Sequence, residues 1–283
     1  MRQYLLLPVL VLSYFIIIFP FSFYMKNRPL LEKLGYTPEP GVLKLLSIDQ
    51  NRFVAATLLM KVINYYGGIH EGTPNKVQLP PEYAEMERAI KTAVQLDPYN
   101  MDAYYFAQAI MVWDAKQVTA TNELLEFGMR YRKWDYYLPF FAGFNYAYFL
   151  KDYSNAAKYY ERVGELTGNA ISMTLAGRYL YEAGRTNLAI DYLSLMVKSA
   201  GNEAVRKTLQ TRLQAFLGVR EIEQSARTFQ TKVHRPPRSV EELYAKGYLS
   251  EIPIDPYGGT FYIDKEGKVR STSKFAFGVA KMQ

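Results

Sequence analysis

Four small or slim residues recur through the middle of the sequence at intervals of 34, 36 and 33 residues: Met86, Ala120, Ala156 and Ala189. A larger apolar residue follows each of them four positions later: Ile90, Leu124, Tyr160 and Leu193. A period of this length is typical of a helix–turn–helix unit, in which a small side chain lets two helices approach each other. The spacing therefore predicts a stack of helical repeats that buries a core between neighbours and presents a groove.

The segments that carry this rhythm have apolar residues at helical spacing and end at turn-forming residues. They predict helices over 82–96, 101–116, 119–131, 134–150, 154–167, 170–183 and 187–199. A leading helix is predicted over 42–66, ending at Gly67-Gly68. Two further helices within 202–230 are expected to cover the open end of the array.

The string from Asp152 to Tyr160 resembles the opening of the second helix in the tetratricopeptide repeat family. Gly177, Ala189 and Leu96-Asp97-Pro98 agree with that family's small-residue and terminal-proline positions, whereas Gln108 and Phe144 stand where it has glycine. The resemblance covers roughly 82–200. It implies a concave groove for other proteins, lined by Tyr104, Gln108, Asn145, Tyr148, Arg178 and Tyr181. The alternative role for each of these side chains is packing between repeats.

The N-terminal segment has no formal charge from Tyr4 to Tyr24. At about 1.5 Å per residue it would span roughly 30 Å, the thickness of a bilayer's hydrocarbon core. Its aromatic end is a poor cleavage site, so an uncleaved single-pass anchor is expected. Lys26, Arg28 and Lys33 favour a cytoplasmic C-terminal side. A short tail before a large domain is instead typical of an exported domain, and this is the orientation that we expect.

The pattern changes after Pro237. Ser239, with Glu242 three residues later, indicates a capped helix over 240–246, and turn residues at 255–259 precede a hairpin of strands 260–264 and 268–272. This order is similar to the globular end of type II secretion major pseudopilins, and the matching positions are Pro237, Ser239, Leu243, Gly247, Tyr248, Leu249, Pro253, Asp255, Pro256, Tyr257, Gly258 and Tyr262.

Three features depart from the pseudopilin pattern. Tyr257 stands where that family has tryptophan, no acidic calcium loop follows it, and the N-terminal segment lacks the family's processing signature. The resemblance implies an association with a pilus or a secretion system. The alternative is that Asp255-Pro256-Tyr257-Gly258 is only a turn that docks the hairpin.

Composition and missing motifs narrow the class of function. The chain has no cysteine and only two histidines, His70 and His234, so thiolate chemistry is excluded and a metal site is not expected. The net charge of +7 is spread without a basic run, so nucleic-acid binding is not expected. The sequence contains no phosphate-binding loop and no nucleophile elbow. We therefore expect no enzymatic activity, no cofactor and no small-molecule substrate.

Together these observations predict a mainly α protein with an N-terminal transmembrane helix, a tetratricopeptide-like α-solenoid and a small C-terminal α+β hairpin module. The expected boundaries are an anchor at 1–25, a linker and leading helix at 26–81, repeats at 82–233 and the module at 234–283. The expected function is a non-catalytic scaffold that binds other proteins in a bacterial envelope, pilus or secretion assembly, anchored in the inner membrane with its bulk in the periplasm. A permanent structural subunit of a membrane complex or filament is the alternative.

Overall fold

Helices dominate the part of the chain that the structure describes, namely residues 2–29, 31–71, 77 and 79–276. This computed structural model contains, within those residues, twelve α-helices and one two-stranded antiparallel sheet near the C-terminus. The predicted mainly helical class and the C-terminal hairpin are confirmed. The chain divides into two compact units, 1–117 and 118–283. The predicted anchor, linker and C-terminal module also include residues 1, 30, 72–76, 78 and 277–283, which lie outside the described residues.

The first unit holds five helices: α1 (Arg2–Asn27), α2 (Pro40–Leu46), α3 (Asn51–His70), α4 (Tyr83–Leu96) and α5 (Met101–Phe106), which continues as a π-helical turn over Ala107–Met111. From Leu7 to Asn27, α1 is long and apolar enough to cross a membrane. Between α1 and α2 the chain is held against α4, because the Leu34 amide donates to the Glu82 carboxylate at 2.9 Å. Leu34 and Thr37 are buried.

The predicted helix over 42–66 is wrong in two respects. Two helices, α2 and α3, occupy this region. The chain breaks between α2 and α3 at Ile48, whose φ of 52° lies in the left-handed region that β-branched residues avoid. The second helix also runs past Gly67-Gly68 to His70. Glycine lowers helix propensity by only about 1 kcal/mol per residue, and the buried residues Ala55, Leu59, Val62 and Tyr65 stabilise the helix by packing.

The second unit holds α6 (Val118–Tyr131), α7 (Tyr137–Asn145) with a π-helical turn over Tyr146–Leu150, α8 (Tyr153–Thr167), α9 (Ala170–Glu182), α10 (Thr186–Ser199), α11 (Glu203–Val233), α12 (Val240–Ala245), β1 (Phe261–Ile263) and β2 (Val269–Ser271). Each helix from α6 to α11 packs against the next one in the chain. Asp152, Asn169 and Asn202 cap three of these helices by accepting backbone N–H bonds, which explains where they begin. The register of the hairpin pairs Phe261 with Ser271 and Ile263 with Val269.

The recurring residues that define the sequence rhythm lie in the core at three of their four positions. The pairs Met86/Ile90, Ala156/Tyr160 and Ala189/Leu193 are buried. In α6 the register is one residue later, since Ala120 and Leu124 are only partly buried whereas Thr121 and Leu125 are buried. The intervals between the buried positions, with Thr121 in place of Ala120, become 35, 35 and 33 residues.

The long helix α11 replaces the two capping helices predicted within 202–230. Its buried stripe joins the preceding helices to the C-terminal segment, because Phe216, Val219 and Phe229 belong to the same apolar core as Val240 and Phe261. That core also includes Leu180, Ala189 and Leu193 from α9 and α10. The boundary predicted at 233/234 therefore runs through a shared core, and α12 with the hairpin packs as a continuation of the helices.

Candidate functional site

Two adjoining cavities open beside α9 and share Arg178, Glu182 and Arg270. The larger measures about 410 Å³ and the smaller about 230 Å³. We call them together the α9 cleft. The lining of the larger cavity is Phe144, Ala147, Tyr148, Lys151, Tyr153, Arg178, Tyr179, Glu182 and Arg270. The smaller one adds Tyr181, Tyr262, Ser271, Lys274 and Phe275 from α9 and the C-terminal segment.

Stacked aromatic rings form the walls of the larger cavity. Phe144 and Tyr148 stack with their centroids 5.3 Å apart and their planes 10° from parallel. Tyr153 stacks on Tyr179 in the same way, at 5.9 Å and 9°. Tyr148 lies in the π-helical turn after α7 and is 53% exposed. Such turns are frequent at functional sites, because the extra residue re-aims the side chains around it.

Positive charge dominates the rim of the larger cavity. Lys151, Arg178 and Arg270 outnumber the single carboxylate, Glu182. Lys151 follows the π-helical turn with a φ of 54°, and its ammonium lies 5.2 Å from the centre of the Tyr148 ring. Arg178 makes no ion pair or hydrogen bond with any residue that the structure describes. The rim therefore offers two cations, Lys151 and Arg178, that have no internal carboxylate partner among those residues.

Arg270 is fixed by two carboxylates. Its guanidinium donates to Glu182 at 2.6 Å and to Asp264 at 3.2 Å. Burial alone would lower the pKa of Arg270, but its bond to Glu182 and the nearby Tyr181 and Asp264 outweigh burial and raise that pKa. Because Arg270 comes from the hairpin and Glu182 from α9, this ion pair builds the cleft from both parts of the unit.

Four of the six predicted groove residues are buried, which favours the alternative role of packing between helices. Tyr104 and Asn145 are fully covered, and Gln108 and Tyr181 are nearly so. The Tyr104 hydroxyl donates to the carbonyl of Pro98 at 3.0 Å. The Asn145 amide donates to the Asn122 side chain at 2.8 Å, which ties α7 to α6. These side chains are therefore covered by the chain itself and are not presented to a partner.

Tyr181 is covered by the chain's own hairpin. Its hydroxyl donates to the backbone carbonyl of Val269, and its ring stacks on Phe216 at 5.1 Å. Phe275 meets the Tyr181 ring edge-on at 5.4 Å. At Tyr181, the face of α9 that was predicted to bind a partner is therefore covered by the hairpin of the same chain. Of the predicted set, the structure brings together Tyr148 and Arg178 on the larger cavity.

The turn that carries the pseudopilin-like string is held by Asp255. This buried carboxylate accepts the Tyr257 backbone N–H at 2.9 Å and the Ser273 hydroxyl at 2.6 Å, and it also accepts the Ser271 hydroxyl. The next glycine, Gly259, leaves no room for a side chain, because a Cβ would lie 2.6 Å from the Ser273 nitrogen. Within the described residues this motif therefore docks the hairpin. Those residues also contain no group of three or more side chains suited to a metal.

A buried arginine that the sequence analysis missed lies under the same turn. Arg212 of α11 is 8% exposed and lies among the rings of Tyr257, Phe216 and Phe275, at 5.0, 5.8 and 5.9 Å. Its Nε and Nη1 atoms have no hydrogen-bond partner among the described residues. Desolvation by burial lowers the pKa of Arg212. One signal was available, since Arg212 interrupts an apolar stripe that includes Leu209, Phe216 and Val219.

Lys151 and Arg270 are cleft residues that the sequence analysis did not assign to the groove. Lys151 was assigned to a turn, and Arg270 reaches the cleft only through the packing of the hairpin on α9, 88 residues away from Glu182 in the chain. No protein-family model matches this chain, and no curated protein matches it either.

Proposed function

We propose that the protein is a membrane-anchored, non-catalytic scaffold that binds an acidic segment of a partner protein in the α9 cleft. The observation that carries this proposal is the chemistry of the larger cavity, where stacked tyrosines lie beside Lys151 and Arg178. Tyrosine and arginine dominate binding hot spots in protein interfaces, and a carboxylate of the partner would supply the counter-charge that these cations lack internally.

The neighbour-to-neighbour packing of α6 to α11 supports the proposal of a tetratricopeptide-like solenoid. The length and apolar character of α1 support the proposed anchor. We place the protein in a bacterial inner membrane with its two helical units in the periplasm, serving an envelope, pilus or secretion assembly. Protease treatment of spheroplasts tests the orientation: the units should be digested, and full protection would overturn the periplasmic placement.

A permanent structural subunit is the second candidate. The observation that favours it is the occupied α9 face, where the hairpin already covers Tyr181. A surface that is sealed in this way resembles a fixed interface more than a reversible groove. Purification from detergent extracts separates the two candidates. A scaffold should purify without a partner, whereas a structural subunit should co-purify with its complex at fixed stoichiometry.

Site-specific photo-crosslinking tests the binding proposal. A photoreactive phenylalanine analogue at Tyr148 reports on the cleft, and the same analogue at Leu195, exposed on α10 and outside both cavities, is the matched control. In native membranes we expect a discrete crosslinked protein from position 148 and none of the same mass from position 195. The same product from both positions, or no product from position 148, would contradict binding in the cleft.

A further inference from the structure

The helix α2, the turn after it and the first turn of α3 expose an unusual amount of apolar surface. Val42, Leu45, Leu46, Ile48 and Phe53 are 51%, 79%, 70%, 85% and 69% exposed. We call these five residues the α2 patch. Only Leu43 of α2 packs on the small core formed by Ala55, Ala93 and Leu96. The helix is therefore attached to its unit along one side, while its other apolar residues face away from the core.

Ile48 lies largely outside the packing of its own unit. It is the most exposed residue of the patch, and its φ of 52° is a conformation that branched side chains rarely adopt. A strained and exposed isoleucine is costly for an isolated domain in water. An external apolar environment would account for the exposure of this side chain.

The chain between α1 and the rest of the first unit is short. α1 ends at Asn27, and the next point held by the fold is Leu34, which is buried and bonded to Glu82. Six residues separate these points. The seven steps from Asn27 to Leu34, at no more than about 3.6 Å each, keep Leu34 within roughly 25 Å of the end of α1. If α1 spans a bilayer, the unit that carries the patch must lie at its surface.

The charges around the patch suit an anionic lipid surface. Between residues 26 and 53 there are five cationic and three acidic side chains: Lys26, Arg28, Lys33, Lys44 and Arg52, against Glu32, Glu39 and Asp49. Basic residues beside apolar ones are typical of segments that lie in a membrane interface, where anionic headgroups meet the cations and acyl chains meet the apolar side chains.

We propose that the α2 patch inserts into the interface of the same bilayer that α1 spans, and so fixes the orientation of the first unit on the membrane. This inference rests on the proposed anchor but not on the α9 cleft. A single spanning helix leaves a domain free to tilt and rotate, whereas a second contact that begins 15 residues after the end of α1 removes most of that freedom. The occupant of the patch is lipid, and a protein in its place is an outcome that the test below separates.

The absence of cysteine allows the test on the full chain. Single-cysteine variants Leu46→Cys and Ile48→Cys carry a spin label, and the protein is reconstituted in vesicles of phosphatidylcholine and phosphatidylglycerol. Lys91→Cys on the exposed side of α4 is the water-facing control, and Ile17→Cys in α1 reports on the anchor. Accessibility to oxygen, which dissolves in lipid, is compared with accessibility to a nickel chelate, which stays in water.

We expect the oxygen-to-chelate ratio at positions 46 and 48 to be several-fold higher than at position 91 and to approach the ratio at position 17. A lipid-exposed label at 17 with water-like labels at 46 and 48 would overturn the patch proposal while leaving the anchor intact. A water-like label at 17 would overturn both. Labels at 46 and 48 that are immobilised and shielded from both reagents would assign the patch to a protein contact, and would also overturn the proposal.

Discussion

The second unit buries polar and charged side chains at its C-terminal turn and in α11 beneath it, whereas the α2 patch of the first unit exposes leucine, isoleucine and phenylalanine. Asp255 is 3% exposed and Arg212 is 8% exposed, yet Ile48 is 85% exposed. In the second unit the buried carboxylate has three donors within the hairpin, so its burial specifies one way of docking. In the first unit the exposed apolar residues of the α2 patch do not specify a way of packing in this manner. The difference teaches that the α2 patch, unlike the buried turn of the second unit, lies outside the packing of its own unit.

The largest expected effect contrasts two phenylalanines, one in each unit. Phe216→Ala should lower the free energy of unfolding of the second unit by about 3–5 kcal/mol, because its ring is fully buried against Tyr181 and Phe275. The change can be followed by urea unfolding in detergent through the fluorescence of Trp134, in a Trp113→Phe background that leaves one tryptophan.

The matched control is Phe53→Ala in the α2 patch, read through Trp113 in a Trp134→Phe background. This ring is 69% exposed, so its removal should change the stability of the first unit by no more than about 0.5 kcal/mol. Equal losses for the two substitutions would remove the contrast between the units.

The next prediction concerns the stability contribution of Asn145, one of the predicted groove residues. Asn145→Ala should destabilise the second unit by about 1–3 kcal/mol, because the buried Asn122 side chain then loses its amide donor. Urea unfolding with the Trp134 probe measures it. An unchanged stability together with lost crosslinking from position 148 would return Asn145 to the binding surface and contradict its packing role.

The sequence was sufficient to predict the elements that depend on local chemistry. Asp152 and Ser239 cap helices as their residue types suggest, and α4 ends at Leu96 before the predicted Asp-Pro stop. The residues that the sequence misplaced depend on contacts across the chain. Tyr181 has the spacing of a groove residue, but a hairpin 88 residues later covers it. The one-residue register change at Thr121 and the break at Ile48 likewise follow from packing and backbone strain, which apolar periodicity does not record.

A smaller effect on stability is expected for Ile48 in the α2 patch. Ile48→Asn should stabilise the first unit in detergent by up to about 1 kcal/mol, because asparagine tolerates the left-handed conformation better than a branched residue and no buried contact is lost. Unfolding followed through Trp113 gives the value. A clear loss of stability would show that the isoleucine side chain packs within its own unit.

The smallest effect concerns the start of α12 and depends on pH. The bond to Arg235, and then the backbone N–H of Arg238, lower the pKa of Glu242 from 4.5 to about 2. A carboxylate whose pKa is lowered in the folded state adds stability above its unfolded pKa, and this stability is lost as pH falls. The stability difference between the natural chain and Glu242→Gln should therefore be full at neutral pH and shrink between about pH 4.5 and 2.

The control for this prediction removes the partner of Glu242. Arg235→Gln removes the bond that lowers the pKa of Glu242 most. In an Arg235→Gln background, the stability difference between Glu242 and Glu242→Gln should therefore depend less on pH. Urea unfolding at a series of pH values measures both variants. A difference that grows as pH falls would reverse the sign and contradict the ion pair.

The central claim is that the cations of the α9 cleft receive an acidic partner, and charge reversal at Arg178 tests it most directly. Arg178→Glu is combined with the photoreactive residue at Tyr148, and Lys207→Glu, an exposed lysine of α11 outside both cavities, is the control with the same change in net charge. We predict that the crosslinked product from position 148 is lost with Arg178→Glu and retained with Lys207→Glu. Equal yields of that product from the two variants would contradict the claim.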